Sequence, residues 1–166
     1  MFVDFTNLPD DSKIWVYGSE QNINSDTQIE IGNILENFLN DWSHHGNTLT
    51  SSYEFIENRF LVIGIDQSFN PTGGCSIDKL QNLILKIDST YGFNFYQRLN
   101  VFVKINDKIE CVKSSELKDN INVDKNSFFY NLNITTKLEL NSWLIQIKDG
   151  WCSRFLNLSF YSFKFN

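Results

Sequence analysis

The chain has 166 residues, 42% of them hydrophobic and 15% aromatic, which is enough apolar mass for one well-buried core and too little chain for two large ones. Its formal charge of −6, with 14 basic residues scattered along the sequence, excludes the basic footprint that nucleic acid or an anionic membrane surface would require. With 2 prolines, 8 glycines and no Ser- or Gly-rich tract, a single α+β domain over 1–166 is predicted, with no linker inside it.

The opening Met1-Phe2-Val3-Asp4-Phe5 lacks the basic segment and apolar run of a signal peptide, and the longest apolar run, Phe60 to Ile65, is too short for a bilayer. A cytoplasmic protein without membrane insertion is the expectation. Cys75, Cys111 and Cys152 are odd in number and form no close pair, which predicts free thiols and neither a disulfide framework nor a zinc site. No carboxylate spacing suggests a calcium loop or paired acid–base chemistry, so neither metal nor cofactor is expected.

Ile14 to Tyr17 is a short β-prone run ended by Gly18, the first strand. Ser25 and Gln28 form a capping-box pattern, and Ile31, Ile34, Leu35, Phe38, Leu39 and Trp42 then recur at steps of three and four along one helical face. Gly46 is the predicted helix stop, which would put His44 and His45 in the last turn, where exposed carbonyls favour positive charge. Ser51 to Glu57 and Phe60 to Asp66 read as a hairpin turning at Asn58-Arg59, with Arg59 solvated and the nearly continuous apolar second run as a central strand. After the Gly73-Gly74 loop, Ile77, Leu80, Ile84, Ile87 and Tyr91 define a second helix ended by Gly92.

Beyond it, Val101 to Ile105 and Lys108 to Val112 form a second hairpin around Asn106-Asp107, and Ser114 to Leu117 opens a short helix. Phe128 to Asn131 is a further strand, and 156–166 an aromatic tail or extra strand. This order matches a ferredoxin-like split βαβ core (βαββαβ) with an added hairpin strand and a C-terminal elaboration, a plain sheet-and-helix sandwich being the alternative. In the split topology the first helix ends, the third strand ends and the second helix begins at one end of the sheet. His44, His45, Gly46, Asp66 and Cys75 are therefore expected to converge, with Arg59 at the opposite end.

The stretch Asn70-Pro71-Thr72-Gly73-Gly74-Cys75-Ser76-Ile77-Asp78 is where chemistry is most readily placed, because unpaired amides at a helix start can hold an anion or activate a thiol. Gly73, Gly74, Cys75, Ser76 and His45 form the candidate ligand-binding edge. A nucleophilic Cys75 with His45 as base and Asp66 as orienter is the candidate catalytic set. The same stretch also serves as an ordinary loop and helix cap, in which Thr72 or Ser76 accepts an orphan amide and Cys75 packs as a small residue that alkylates slowly. Adjacent His44 and His45 would diverge on a helix, which argues against a shared metal. Trp151, Arg154 and Phe155 suit docking of the C-terminal segment on the core.

Trp42-Ser43-His44-His45-Gly46, Arg59-Phe60-Leu61-Val62-Ile63 with Asp66, Gly74-Cys75-Ser76-Ile77-Asp78, Asn131-Leu132 and Trp151-Cys152-Ser153-Arg154-Phe155 together resemble a small family of the Bacteroidota whose members are commonly labelled ABC transporter ATPases. The resemblance runs from about Phe2 to Phe155 and implies a single cytoplasmic domain without assigned catalytic residues; Cys152 stands where that family more often has histidine. The label fails a physical test. A P-loop needs G-x-x-x-x-G-K-[ST], whereas Gly73 to Leu80 puts Asp78 at the second glycine and Leu80 at the magnesium ligand. The leading expectation is a non-ATPase module that binds a small ligand or a protein at the edge around Cys75 and His45. A cysteine-dependent enzyme is the first alternative, and a transporter-associated protein the second.

Overall fold

Phe60–Ile65 is apolar throughout, Gly64 apart, because the chain covers both of its faces and buries all six residues. The computed structural model describes residues 1–68 and 73–156. By backbone contacts they gather into two compact units, Met1–Gln97 with Leu132–Trp143, and Arg98–Asn131 with the chain from Leu144 onward.

In chain order the first unit contains β1 (Lys13–Gly18), α1 (Ser25–Asp41), the short β2 (Ser43–His44) and β3 (Asn47–Thr48), β4 (Ser51–Ile56), β5 (Phe60–Ile65) and α2 (Gly74–Tyr91). β5 lies between β1 and β4, antiparallel to both, so β1 and β4 run in the same direction as the split βαβ reading expects. On one face, Leu61, Ile63 and Ile65 meet Ile31, Leu35 and Leu39 of α1 and Leu80, Ile84 and Ile87 of α2 in a single core. Each such side chain removed from water contributes about 1.5–3 kcal/mol, which is why the two apolar helical stripes hold α1 and α2 to the sheet. On the other face, Phe5 and Leu8 close over Gly64, where a Cβ would come within 2.6 Å of Leu8 Cδ1, and the Trp143 ring meets Phe60 edge-on at 4.9 Å.

α1 ends earlier than Gly46. Trp42 is its C-terminal cap, buried and extended at φ −68° and ψ 120°. The chain then forms the β2–β3 hairpin, with His45 and Gly46 in its turn at φ 50° and 80°. Both histidines therefore lie in a hairpin and not in the last helical turn. Asn24, rather than Ser25, caps the start by accepting the Thr27 amide at 2.9 Å. Ile34, counted with the apolar face, is 40% exposed. α2 ends as expected, with Gly92 left-handed at φ 70° and its amide on the Asp88 carbonyl.

The β4–β5 turn is carried by Glu57 and Asn58 at φ 54° and 53°. Arg59 is half-buried and not a solvated turn residue: its guanidinium donates to the carbonyls of Ser19 at 3.2 Å and Glu20 at 2.6 Å.

The fourth strand needed for a ferredoxin-like sheet does not join β1. The residues from Asn100 form β6 (Asn100–Ile105) in the second unit, in a sheet ordered β7-β6-β8-β9 with β7 (Lys108–Lys113), β8 (Phe128–Tyr130) and β9 (Leu144–Gln146). The open side of β1 is met instead by Thr135 and Thr136, through an Ile14 amide bond to the Thr135 carbonyl at 2.8 Å and a Lys13–Thr136 bridge. The architecture is thus mixed α+β with separate antiparallel sheets. Val101 and Val103 of β6 bury against Val112, Leu117, Phe129 and Ile147, a core local to the second unit, which explains their departure. The β6–β7 turn is Asn106-Asp107, both with positive φ, as its sequence predicts. Trp151 and Phe155 pack on this second core, and the Arg154 guanidinium sits 4.9 Å from the Phe155 ring centre. Asn70, Pro71, Thr72 and the tail beyond Leu156 lie outside the described residues. Among those described, no helix is long and apolar enough to cross a membrane.

Candidate functional site

The edge around the start of α2 is framed by side chains from the segment that follows α1. The Trp42 indole N–H donates to the Ser76 carbonyl at 2.9 Å, the Ser76 hydroxyl donates to the Ser43 carbonyl at 3.0 Å, and His44 Nδ1 lies 3.2 Å from that hydroxyl. The His44 ring covers Gly73: a Cβ there would meet its Cε1 at 2.2 Å, so a side chain at this position would have to displace the imidazole, whereas its φ of −86° suits any residue. Gly73 caps α2 without a side-chain acceptor, and Gly74 has nothing within 4 Å of where its Cβ would stand.

The residues singled out in the sequence are therefore occupied differently. Ser76 is buried and committed to Ser43 and His44, and Gly73 is roofed by an imidazole. Gly74 and Cys75 face outward, the thiol being exposed rather than packed as the bland reading expects. The His45 ring meets that of His44 at a tilt of 58°, with ring centres 4.1 Å apart. Asp66 accepts the Ser68 amide at 2.8 Å, while its own amide donates to the Thr50 carbonyl. The imidazole that reaches the α2 start is that of His44, expected at this edge but left out of the binding and catalytic sets in favour of His45; its neighbour Gly73, the smallest possible floor for a ring, was the available signal.

A second feature, not anticipated, runs along the outer side of β4. Its first outward backbone position is filled by the N-terminal segment: the Ser51 amide donates to the Met1 carbonyl and the Val3 amide to the Ser51 carbonyl, each at 3.1 Å, in a parallel bridge. The Phe2 ring stacks on Tyr53 at 5.6 Å, and the Phe2 amide reaches Asn40 Oδ1 of α1 at 3.3 Å. Past Val3 the chain leaves this edge for the 3₁₀ turn Phe5–Asn7, and a cleft of about 400 Å³ continues between α1 and β4. Ile29, Gly32, Glu36, Tyr53 and Phe55 are among its walls.

The Tyr53 hydroxyl donates to Glu36 Oε1 at 2.9 Å, and its pKa is pushed up to about 12 by burial and by the facing carboxylate, so it remains a donor at physiological pH. Of the α1 carboxylates, Glu36 lines the cleft, whereas Glu30 accepts the Tyr91 hydroxyl on the side toward α2. The sequence signal was the alternation Ser51, Tyr53, Phe55 together with Ile29, an isoleucine off the buried stripe and 64% exposed. In the second unit a cleft of about 320 Å³ is lined by Lys104, Asn106, Asp107, Phe128 and Leu144.

Comparison of the chain with protein-family models, with curated proteins and with solved structures finds no match.

Proposed function

We propose that this protein is a non-catalytic binding module, taking a small ligand or a protein, with the α2 edge around Cys75 and His45 among its contact surfaces. The observation that carries this reading is the separate engagement of three groups that a cysteine mechanism would have to couple. Cys75 is exposed, His45 sits in a hairpin turn with its ring tilted against that of His44, and Asp66 is tied to the Ser68 amide. A nucleophile of this kind is activated by a base within hydrogen-bond reach, itself oriented by a third group. The imidazole at the α2 start is turned to a different task, holding the Ser76 hydroxyl.

A cysteine-dependent enzyme remains the second reading, favoured by one observation, the exposure of Cys75 in the first turn of α2 beside the open Gly74. The kinship with the Bacteroidota family, and a cytoplasmic location in association with a transporter, belong to the same proposal and rest on the quoted motifs. ATP hydrolysis does not belong to it, because Asp78 and Leu80 stand where a P-loop needs glycine and a hydroxyl. Alkylation of Cys75 compared between the wild type and His45→Ala tests the reading: equal rates fit a binding module, and a large fall fits the enzyme.

A further inference from the structure

We infer that the open half of the β4 edge is a docking site for an extended, basic segment of a partner protein, which adds as a strand beside Tyr53 and Phe55 and lays alternate apolar side chains into the cleft against α1. The inference rests on the binding reading and names a surface and a partner for it.

The first argument is the hydrogen-bonding demand of the edge. Ser51 turns its amide and carbonyl outward, to Met1 and Val3. Strand alternation turns the backbone groups of Tyr53 and Phe55 the same way, since Ser52 and Glu54 face β5. After Val3 the chain has left, so these two residues offer a template of donors and acceptors at the spacing of an extended peptide and of nothing more compact.

The second argument is that the molecule already demonstrates the mode. Residues 1–3 occupy the neighbouring stretch of this edge as a short parallel strand, with Phe2 between β4 and α1 and its ring on Tyr53. The cleft of about 400 Å³ shares its Tyr53 wall with the seat of Phe2. Gly32 leaves room for the Tyr53 hydroxyl, which a Cβ there would approach within 2.5 Å, and the largely exposed Ile29 supplies an apolar wall that nothing in the chain covers among the described residues.

The third argument is charge. The one ionisable side chain among the α1 residues that line the cleft is the acid Glu36, and the exposed Glu54 and Glu57 flank Phe55 on the strand. Lys or Arg at the outward positions of the incoming strand would be paired there, whereas Asp or Glu would be repelled. The same argument disfavours a second copy, which would bring a chain of net charge −6 against an acidic edge.

The experiment follows individual backbone amides of the full chain by NMR-detected hydrogen exchange while a synthetic seven-residue peptide, alternating Lys with Ile or Val, is titrated at low salt. Exchange at Tyr53 and Phe55 should slow by about tenfold or more at saturation. The same peptide with Glu for Lys should leave both amides unchanged. N-methylation of the peptide amides on one strand edge should abolish the effect, and on the other edge should not. Equal protection by the Glu peptide would overturn the basic class of partner while leaving strand addition standing. Binding that slows neither amide, or that ignores N-methylation, would overturn strand addition. Protection that grows with protein concentration in the absence of peptide would assign the edge to a second copy and overturn the proposal. Failure of every peptide removes this site alone, because the binding reading is decided separately by the coupling of His45 to Cys75.

Discussion

The His44 imidazole lies so close over Gly73 that a single methyl group on that glycine would come within 2.2 Å of the ring. This contact, with the His44–Ser76 and Trp42–Ser76 hydrogen bonds, fixes the start of α2 against the segment that follows α1. Two adjacent glycines thus have opposite tolerances. Gly73→Ala should cost about 1–3 kcal/mol, as overpacking of a filled site does. Gly74→Ala enters open space in the first turn of a helix and should be neutral or stabilising by up to about 1 kcal/mol. Denaturant unfolding of the two variants checks the pair, and equal losses would contradict the packing described.

The three thiols should react in the order of their exposure. Cys75 is exposed, Cys111 half-buried and Cys152 fully buried, with burial raising the Cys152 pKa to about 11. Peptide-resolved mass spectrometry after timed alkylation should find Cys75 modified first and Cys152 only on unfolding. Early modification of Cys152 would contradict its place in the core of the second unit.

Glu139 accepts the amides of Thr135 and Thr136, which lowers its pKa below the ordinary value near 4.5. A carboxylate depressed by folding stabilises the native state fully above the unfolded value and loses that contribution as pH falls through the folded value. Glu139→Gln should therefore lower the unfolding midpoint at pH 7, and the gap from wild type should close as pH falls through the folded value. A gap that widens in acid would reverse the sign and refute the assignment.

Much of the secondary structure was legible because its signals are local. The stripes Ile31-Leu35-Leu39 and Leu80-Ile84-Ile87 carry the helical period, Gly92 carries the left-handed stop, and Asn106-Asp107 carries a two-residue turn. What escaped depends on partners distant in sequence. Trp42 ends α1 four residues before Gly46 because its indole finds Ser76, 34 positions away. Arg59 is drawn from solvent by carbonyls at Ser19 and Glu20, and β6 leaves the first sheet because its valines have a nearer core in the second unit. Of the candidate site, the meeting of the α2 start with the His44 segment followed from strand and helix directions. The choice of His44 over His45 did not, since adjacent histidines in a hairpin turn face different neighbours that no periodicity reports. The β4 edge was missed for a related reason: the pattern Tyr53-Glu54-Phe55 reads equally as an interior strand until the short reach of residues 1–3 along it is known.

The purified protein should not hydrolyse ATP. Asp78 and Leu80 stand where a phosphate-binding loop needs glycine and a magnesium-ligating hydroxyl. Phosphate release assayed with magnesium and ATP should match the buffer blank. Turnover that survives purification and vanishes on substitution of Gly73 and Gly74 would contradict this.

The claim that the protein binds rather than turns over a substrate through Cys75 is tested most directly by the alkylation rate of that thiol in three proteins: wild type, His45→Ala and Asp66→Asn. Rates are read peptide by peptide at pH 7, with native folding verified for each variant. If the exposed thiol, the His45 imidazole and the Ser68-bound carboxylate are independent, the three rates should agree within about twofold. A fall of about tenfold or more in His45→Ala, with a smaller fall in Asp66→Asn, would show a coupled nucleophile, base and orienter and would contradict the account.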